Sequence, residues 1–466
     1  MSTKQTLAGV VLGTSLLCLG AANALAADET LRSLAEKNNI YIGAILNSQW
    51  FSGGLPGNYE QIHKTQFNIV VAENEMKFDA TEPNEGQFNY GNGDRMVKYA
   101  KANGMRVRGH ALAWHSQVPG WVSQKYSGKK NELLRVLKNH IEKVVGHWKG
   151  QIDEWDVVNE AINDNNNHGW RSSGSVWFET LGADFLDSAF VWAHAADPDA
   201  ELCYNDYAIE WGLGSGSKAG FVLEQVKRWK KNGIPITCVG TQTHIEISHE
   251  TTPKNVRDFA KALAELGITL NITELDIGFP KGSANSLSAK DYQKQGHLYR
   301  QFMDVFLEEP NMGEFMIWGV TDAHSWLDGS QGKTQGLIYD KQYKPKPAYD
   351  SLIVSLKAHA PSEVVSPYSS NTPESSSSTD VSSSSSTITI KASMAPASLS
   401  MQVSGHTLLI AGTQSAMVDV FDMQGRPVFS AKCETGSIEL KNVSEGLYVV
   451  RVRDGSASLT KRIAIK

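Results

Sequence analysis

The chain has 466 residues, a formal net charge of −6, 20% charged residues and 9% aromatic residues. This length exceeds that of one ordinary domain and suits a large barrel with a smaller domain attached. The acidic balance and the lack of a basic patch in the sequence exclude nucleic acid as a partner.

The first 26 residues are typical of a secretory signal peptide. Lys4 carries positive charge, residues 7–20 form an apolar core, and Ala24-Leu25-Ala26 matches a small-x-small cleavage site. The apolar run is shorter than the ~20 residues of a membrane span, so an anchor is disfavoured. We expect cleavage after Ala26, export through the periplasm, and a secreted or cell-surface protein without a membrane span in the mature chain.

Eight apolar runs alternate with helical patterns over residues 28–360. They lie in YIGAIL (41–46), NIVVA (68–72), KANGMRVRGHAL (101–112), HWKGQIDEWDVVN (147–159), ELCYN (201–205), KKNGIPITCVGTQ (230–242), AELGITLNITE (264–274) and EFMIWGV (314–320). Strands that alternate with helices are predicted to pair in parallel. Eight such strands close into a (β/α)8 TIM barrel of the α/β class. An open doubly wound sheet competes, but no glycine-rich phosphate loop follows the first run.

Four glycines separate a helical pattern from the strand that follows it: Gly104, Gly150, Gly233 and Gly267. A glycine in this place typically adopts a left-handed conformation that ends the helix. The helix predicted over 131–148 has apolar residues at spacings of three and four, which gives one buried face.

The composition changes abruptly after the barrel. Residues 361–387 are rich in serine and predict a flexible linker. Residues 388–466 alternate apolar and polar residues, with turn signals at Gly425, Gly446 and Gly455, and predict a small all-β sandwich.

Two glutamates follow apolar runs at the predicted carboxyl ends of the fourth and seventh strands. Glu160 lies in WDVVNEA (155–161) and Glu274 in LNITELDI (270–277). Barrel enzymes keep their chemistry at this end. A pair of carboxylates there is the minimum machinery for cleaving a glycosidic bond.

Several motifs in the barrel segment occur in a characteristic order. They are VVAENEMKFDATEP (70–83), RGHALAWHSQVPGW (108–121), WDVVNEA, YNDY (204–207), TQTHIE (241–246), ITELDI (272–277) and WGVTDAHSW (318–326). In this order the segment resembles the family 10 glycoside hydrolases, the endo-β-1,4-xylanases, over nearly all of residues 30–356. The resemblance implies a retaining enzyme that acts on xylan or xylo-oligosaccharides through a glycosyl-enzyme intermediate.

The resemblance also implies roles for individual residues. Glu160 would be the general acid/base and Glu274 the nucleophile. His244 would hydrogen-bond Glu274, with Asp276 orienting the imidazole. Asn159 would donate to the sugar 2-hydroxyl, a contact that strengthens in the transition state.

Further residues match substrate-binding positions of the family. On the glycone side these are Glu73, Asn74, Lys77, His110, Trp114, Gln117, Trp318 and Trp326. Asn205 and Gln242 are expected to flank Glu160. In the family, the tryptophan at position 326 crowds the space of a C6 hydroxymethyl group, which favours xylose over glucose.

No metal or other cofactor is expected. His110, His115, His244 and Glu246 could suggest a metal site, but they come from separate strands without a tight ligand spacing. Glycoside hydrolysis by two carboxylates needs no metal. We expect a monomer.

Cleavage of the signal would leave three cysteines, Cys203, Cys238 and Cys433. Cys203 and Cys238 lie on adjacent predicted strands. Some relatives bridge this pair and secretion permits it, but two buried free thiols are an equal alternative. With a bridge, Cys433 is unpaired.

The tail, 388–466, could be a carbohydrate-binding module or a sorting domain. All twelve tryptophans lie between Trp50 and Trp326, so the tail lacks the aromatic platforms that usually grip polysaccharides. The run VDVFDMQGRPVF followed by LKNVSEGLYVVRVRDG and KRIAIK resembles the C-terminal sorting domain of type IX secretion cargo. We therefore favour interaction with the secretion machinery.

The sequence leaves two rival functions open. A cellulase or mixed-linkage glucanase could use the same barrel, and a non-catalytic glycan-binding protein could keep the groove. A barrel that had lost its activity would be expected to lack at least one of the four residues Glu160, Glu274, His244 and Asp276. All four are present, which argues against a non-catalytic protein.

Overall fold

A computed structural model describes residues 29–165, 168–329, 332–360, 400–411, 415–422, 427–434, 436–454 and 457–465. The predicted signal peptide, 1–26, and the predicted linker, 361–387, lie outside these residues.

The first part of the chain forms a closed parallel barrel. Its strands are β1 Tyr41–Leu46, β2 Ile69–Ala72, β3 Arg106–Trp114, β4 Glu154–Asn159, β5 Glu201–Asp206, β6 Cys238–Thr241, β7 His244–Glu246, β8 Thr269–Pro280 and β9 Met312–Ile317. Segments β6 and β7 both pair with β8 and together form the sixth of eight barrel strands. Pairing of β9 with both β1 and β8 closes the barrel and confirms the predicted fold. A short β10, Lys333–Thr334, adds to the end of β8 in antiparallel fashion.

Helices surround the barrel. They are α1 Leu31–Lys37, α2 Ser48–Phe51, α3 Gly57–Gln66, α4 Phe78–Thr81, α5 Gly91–Ala102, α6 Gly120–Tyr126, α7 Lys130–His147, α8 Val176–Leu181, α9 Asp184–Ala196, α10 Lys218–Lys231, α11 Thr252–Ala264, α12 Ala289–Glu308 and α13 Pro347–His359. The apolar face of α7 is buried against the barrel through residues spaced by three and four: Leu133, Leu137, Ile141 and Val144.

The four glycines expected to end helices all have positive φ. The values are 60° for Gly104, 66° for Gly150, 71° for Gly233 and 66° for Gly267. L side chains rarely adopt this conformation, so these positions favour glycine. Each turns the chain from an outer helix into the next strand, which sets where that strand enters the barrel.

The barrel interior contains a buried ionic cluster around Arg108. Its guanidinium donates to Glu154, Asp156 and, at 3.0 Å, to Glu314. Asn271 Nδ2 donates to both oxygens of Glu154, at 2.9 and 2.8 Å. Burial by itself would lower the pKa of Arg108, but the three carboxylates outweigh it and raise that pKa. Buried charges persist when each has such partners.

Two cysteines connect neighbouring strands of the barrel. Cys203 of β5 and Cys238 of β6 are paired in register, and a disulfide joins them with a Cα–Cα distance of 4.5 Å. Cys433, in the tail, is a buried free thiol. Of the two alternatives open at the sequence level, the structure has the bridge.

The tail consists of two antiparallel sheets. Its strands are β11 Ser400–Ser404, β12 Thr407–Ala411, β13 Ala416–Asp422, β14 Pro427–Cys433, β15 Ser437–Glu439, β16 Gly446–Asp454 and β17 Ala457–Ile465. The sheet orders are β11-β12-β15 and β14-β13-β16-β17. Both sheets contribute to one apolar core that includes Met401, Leu408, Val418, Val450 and Ile463. This confirms the small all-β domain.

Within the described residues, no helix combines the length and the apolarity needed to cross a membrane.

Candidate active site

Two glutamates lie at the carboxyl end of the barrel. Glu160 directly follows β4 with φ 55°, and its backbone N–H donates to the Asn205 carbonyl at 2.9 Å. Glu274 is within β8, and its side chain is 6% exposed, whereas the Glu160 side chain is 12% exposed. The parallel barrel therefore brings together two carboxyl groups that are more than a hundred residues apart in the chain.

Neutral N–H donors hold the Glu160 carboxyl group. Trp114 Nε1 donates to Oε2 at 2.8 Å, and Gln242 Nε2 donates to Oε1 at 2.8 Å. The His115 Nδ1 atom lies 3.9 Å from Oε2. Both carboxyl oxygens are thus oriented by side chains that carry no formal charge.

A histidine between two carboxylates holds Glu274. His244 Nε2 lies 3.0 Å from Glu274 Oε2, and His244 Nδ1 lies 2.8 Å from Asp276 Oδ2. Burial lowers the pKa of His244, but the charge of Asp276 and the hydrogen bonds to both carboxylates outweigh it and raise that pKa to about 10. His244 is therefore an imidazolium with both N–H groups donating.

The same contacts keep Glu274 ionised. Burial would raise its pKa, but the His244 hydrogen bond, the nearby His110, the His244 charge and the Asn205 hydrogen bond together lower it to about 2. Trp326 Nε1 donates to Asp276 Oδ2 at 2.9 Å and completes the support. A carboxylate held in this form is suited to nucleophilic attack.

Three amides connect the two glutamates. Asn205 Nδ2 donates to Asn159 Oδ1 at 2.9 Å and to Glu274 Oε1 at 2.8 Å. Gln242 Nε2 donates to Glu160 and lies 3.4 Å from Asn159 Oδ1. All three side chains are nearly fully buried.

The two amide residues expected to flank Glu160 contact it in different ways. Gln242 flanks Glu160 as expected, but the Asn205 side chain bonds to Glu274, and only its backbone carbonyl contacts Glu160. Asn205 pairs in register with Asn159, the last residue of β4, and Glu160 lies one residue beyond that ladder. The Asn205 amide therefore reaches Asn159 and, across the barrel, Glu274.

The loop after β2 supplies a polar group that borders both glutamates. Lys77 Nζ donates to Asn74 Oδ1 at 2.9 Å, and Gln117 Nε2 donates to the same oxygen at 3.3 Å. Burial lowers the pKa of Lys77 although Glu274, Glu73 and Glu160 oppose that shift. The ammonium thus lies within the electrostatic reach of both catalytic candidates.

Glu73 and Asn74 of this group are anchored by the start of α2. Glu73 Oε2 accepts the Ser48 backbone N–H at 2.9 Å, and Asn74 Nδ2 donates to Ser48 Oγ at 3.0 Å. Burial raises the pKa of Glu73. The Lys77 ammonium also lies 4.9 Å from the Trp114 ring centroid.

Aromatic side chains border the Glu274 side. The His110 and Trp318 rings meet edge to face at 5.5 Å, and the His244 and Trp326 rings are 4.6 Å apart. His110 Nδ1 lies 2.8 Å from Asp156 Oδ2, so the buried ionic cluster orients this imidazole. Indole faces beside polar groups are typical of sugar-binding clefts.

The described residues contain one group with the composition of a metal site. It consists of Glu154, Cys203 and Cys238, and both cysteines belong to the disulfide. The histidines considered from the sequence do not form such a group within the described part of the chain.

Residues 30–355 match the family model described as glycosyl hydrolase family 10. The chain belongs to this family. Endo-1,4-beta-xylanase B of Thermotoga neapolitana is 38% identical over 340 residues, which span 72% of this chain and 94% of that protein. A beta-1,4-xylanase of Dictyoglomus thermophilum is 37% identical and spans 64% of this chain and 84% of its own.

Solved structures agree with the family 10 fold. Xylanase 10B from Thermotoga petrophila RKU-1, solved in complex with xylobiose, superposes with a TM-score of 0.67 at 36% identity, covering 72% of this chain and 99% of that chain. In the tail, residues 395–466 match the model of a secretion system C-terminal sorting domain. This confirms the preference for export over carbohydrate binding.

Two residues that hold the Glu160 loop of this family 10 chain were missed at the sequence level. Arg171 Nε donates to the Glu160 carbonyl at 3.1 Å, and its Nη2 donates to the Ile162 carbonyl at 3.2 Å. The Tyr204 hydroxyl accepts the Ala161 N–H at 3.1 Å. Tyr204 was visible in the YNDY motif, but no local pattern marks Arg171, which contacts the loop only after the chain folds back.

Proposed function

We propose that the barrel hydrolyses internal β-1,4-xylosidic bonds of xylan and xylo-oligosaccharides with retention of configuration. Glu160 is the general acid/base and Glu274 the nucleophile. The observation that carries this proposal is the unequal support of the two carboxyl groups: a cationic histidine and an amide hold Glu274, whereas neutral N–H donors hold Glu160.

The first step forms a glycosyl-enzyme intermediate. A carboxylate oxygen of Glu274 attacks the anomeric carbon while the bond from that carbon to the leaving oxygen breaks. Glu160 gives its proton to the leaving oxygen. Such a displacement requires the two carboxyl groups to lie ~5 to 5.5 Å apart.

The second step releases the sugar. Glu160, now a carboxylate, takes a proton from a water molecule whose oxygen attacks the anomeric carbon, and the ester bond to Glu274 breaks. Glu274 carries no charge while it is glycosylated, so the electrostatic field at Glu160 differs between the two steps. Two inversions give net retention.

Neighbouring residues bind and orient the substrate. Asn159 contacts the sugar 2-hydroxyl, and Asn205 and Gln242 hold the two carboxyl groups and Asn159. The glycone-side sugars contact the polar and indole side chains named above, Glu73, Asn74, Lys77, His110, Trp114, Gln117, Trp318 and Trp326. Trp326, held through Asp276, limits the space for a C6 substituent and favours xylose.

The rest of the chain serves export. The sorting domain directs the protein through type IX secretion to the exterior or the cell surface. We propose that the enzyme acts as a monomer. Deleting 388–466 should block export and leave catalysis unchanged; lost binding to insoluble xylan with normal export would instead indicate a carbohydrate-binding tail.

One experiment tests reaction and substrate together. NMR of the first product anomer should show the β-anomer from xylan and little product from a soluble cellulose derivative. An initial α-anomer would rule out the retaining roles of both glutamates. Equal or faster release from the cellulose derivative would favour the glucanase alternative.

A further inference from the structure

Trp211 is the only one of the twelve tryptophans that the structure leaves largely exposed, at 47%. It lies on the loop between β5 and α10, at the carboxyl end of the barrel that also carries Glu160 and Glu274. A large aromatic side chain left in water at the rim of a cleft is suited to ligand contact. Nothing in the roles assigned so far uses this residue.

The indole is held in place from one side. Its ring meets that of His249 edge to face, with centroids 4.3 Å apart and an interplanar angle of 76°. His249 Nδ1 accepts the Glu246 N–H at 3.1 Å, so this imidazole is neutral with its proton on Nε2, and burial lowers its pKa. Asn255 Nδ2 donates to the Trp211 carbonyl at 3.0 Å. A platform ordered before binding loses little entropy when a ligand stacks on it.

The loop that carries Trp211 is anchored to the surroundings of Glu160. Glu210 is buried, and Thr241 Oγ1 donates to its Oε2 at 3.2 Å. The residue after Thr241 is Gln242, which donates to the Glu160 carboxyl group. Trp211 therefore follows directly on a residue tied to the strand end that orients the acid/base.

A second set of hydrogen bonds also links the Trp211 loop to Glu160. Tyr207, four residues before Trp211, accepts a hydrogen bond from Arg171 Nη2 at 3.1 Å. Arg171 in turn donates to the Glu160 carbonyl. The loops after β4 and β5, with Gln242 between β6 and β7, thus lie beside Glu160, whereas the glycone-side residues come mainly from the loops after β2 and β9.

We propose that Trp211, backed by His249, stacks against a xylosyl unit on the leaving-group side of the cleft, beyond the sugar that borders Glu160. Glu160 protonates the leaving oxygen, so the departing sugars extend over the loops around it. An indole face can cover the C–H face of a pyranose ring. This inference rests on the proposed function and adds a binding site to it.

The test compares substrates with and without sugars in that position. Trp211→Ala should lower kcat/KM for xylohexaose about three- to tenfold. It should leave kcat/KM for 4-nitrophenyl β-xylobioside within about twofold, because that leaving group ends before the proposed site. With reducing-end ¹⁸O-labelled xylohexaose, the cleavage site should shift toward the reducing end, since fewer sugars are retained on the leaving-group side.

Control variants separate stacking from folding. Trp211→Phe keeps an aromatic face and should retain most of the xylohexaose activity. Trp192→Ala changes a half-buried tryptophan on α9, a helix that packs on the barrel beside β4, and should alter neither substrate preference nor cleavage site. His249→Ala should cause a smaller loss than Trp211→Ala, because the indole stays but loses its backing.

Different results would contradict the stacking site and the proposed function. Unchanged xylohexaose kinetics and cleavage pattern in Trp211→Ala, with wild type active on both substrates, would overturn the stacking site alone. Equal losses on both substrates would also overturn it, since Trp211 would then support the catalytic residues. A wild-type protein inactive on both substrates would remove the proposed function and this inference with it.

Discussion

The surroundings of Glu274 and of Glu160 differ in charge and in backbone conformation. Glu274 lies inside a strand and contacts an imidazolium that Asp276 also holds. Glu160 lies just beyond a strand, in a left-handed conformation, with neutral donors on its oxygens. A nucleophile must stay ionised, whereas an acid/base must gain and lose a proton in each cycle. The difference in their surroundings is what the two proposed roles require.

The largest expected effect comes from removing the proposed nucleophile. Glu274→Ala should reduce kcat at least about 10⁵-fold on xylan and on aryl xylobiosides, because no covalent intermediate can form. Steady-state kinetics with both substrates measures this loss. Glu265→Ala, an exposed position at the end of α11, is the matched control and should be fully active. Substantial turnover by Glu274→Ala would assign the nucleophile elsewhere.

Removing the acid/base should have a substrate-dependent effect. Glu160→Ala should lose about 10²- to 10⁴-fold on xylan, whose leaving group needs a proton. A 2,4-dinitrophenyl xylobioside needs no such proton, so it should still form the intermediate, which accumulates because no base activates water. Added azide should restore turnover and yield the β-azide. A lack of rescue would contradict the assignment.

The imidazolium should determine the acid side of the pH profile. His244→Gln removes the cation that lowers the pKa of Glu274 to about 2, so that pKa should rise. Since Glu274 must be ionised to attack, the acid limb of kcat/KM should move to higher pH, by about one unit or more. His194→Gln, on the exposed face of α9, is the control. An unmoved acid limb would mean that His244 only fills space.

The smallest expected effect concerns stability. The pKa of His244 is raised from 6.5 to about 10 in the folded protein, so its contribution is full below pH 6.5 and is lost as pH rises through 10. Glu274 has a lowered pKa, so its contribution is present above its ordinary value and is lost as pH falls through about 2. Denaturant unfolding should therefore show a larger destabilisation by His244→Gln near pH 6 than at pH 10. A pH-independent difference would contradict the ion pair.

Local patterns predicted much of the architecture. The eight apolar runs became barrel strands, and the helix over 131–148 appears as α7 with its apolar face buried. These features could be predicted because strand and helix periodicity, and the conformational freedom of glycine, are properties of short segments. The order of motifs likewise placed Glu160 directly after its strand, whereas β8 continues beyond Glu274 to Pro280.

Contacts between distant segments could not be predicted in the same way. Whether Asn205 reaches Glu160 or Glu274 depends on the register of β4 and β5 and on what lies across the barrel. Arg171 holds the Glu160 loop through backbone carbonyls, which any sequence would offer. Spacing along the chain carries no information about either contact.

The sequence by itself determined the barrel, the position of the two glutamates, the Ser-rich segment and the all-β tail, because repeated local patterns and ordered motifs specify these. Only the tertiary structure decided that His244 is charged between two carboxylates, that Cys203 and Cys238 are bridged, and that Trp211 lies exposed beside the Glu160 loops. Charge state, bridging and exposure depend on distances between segments and on the water excluded from them, which exist only once the chain has folded.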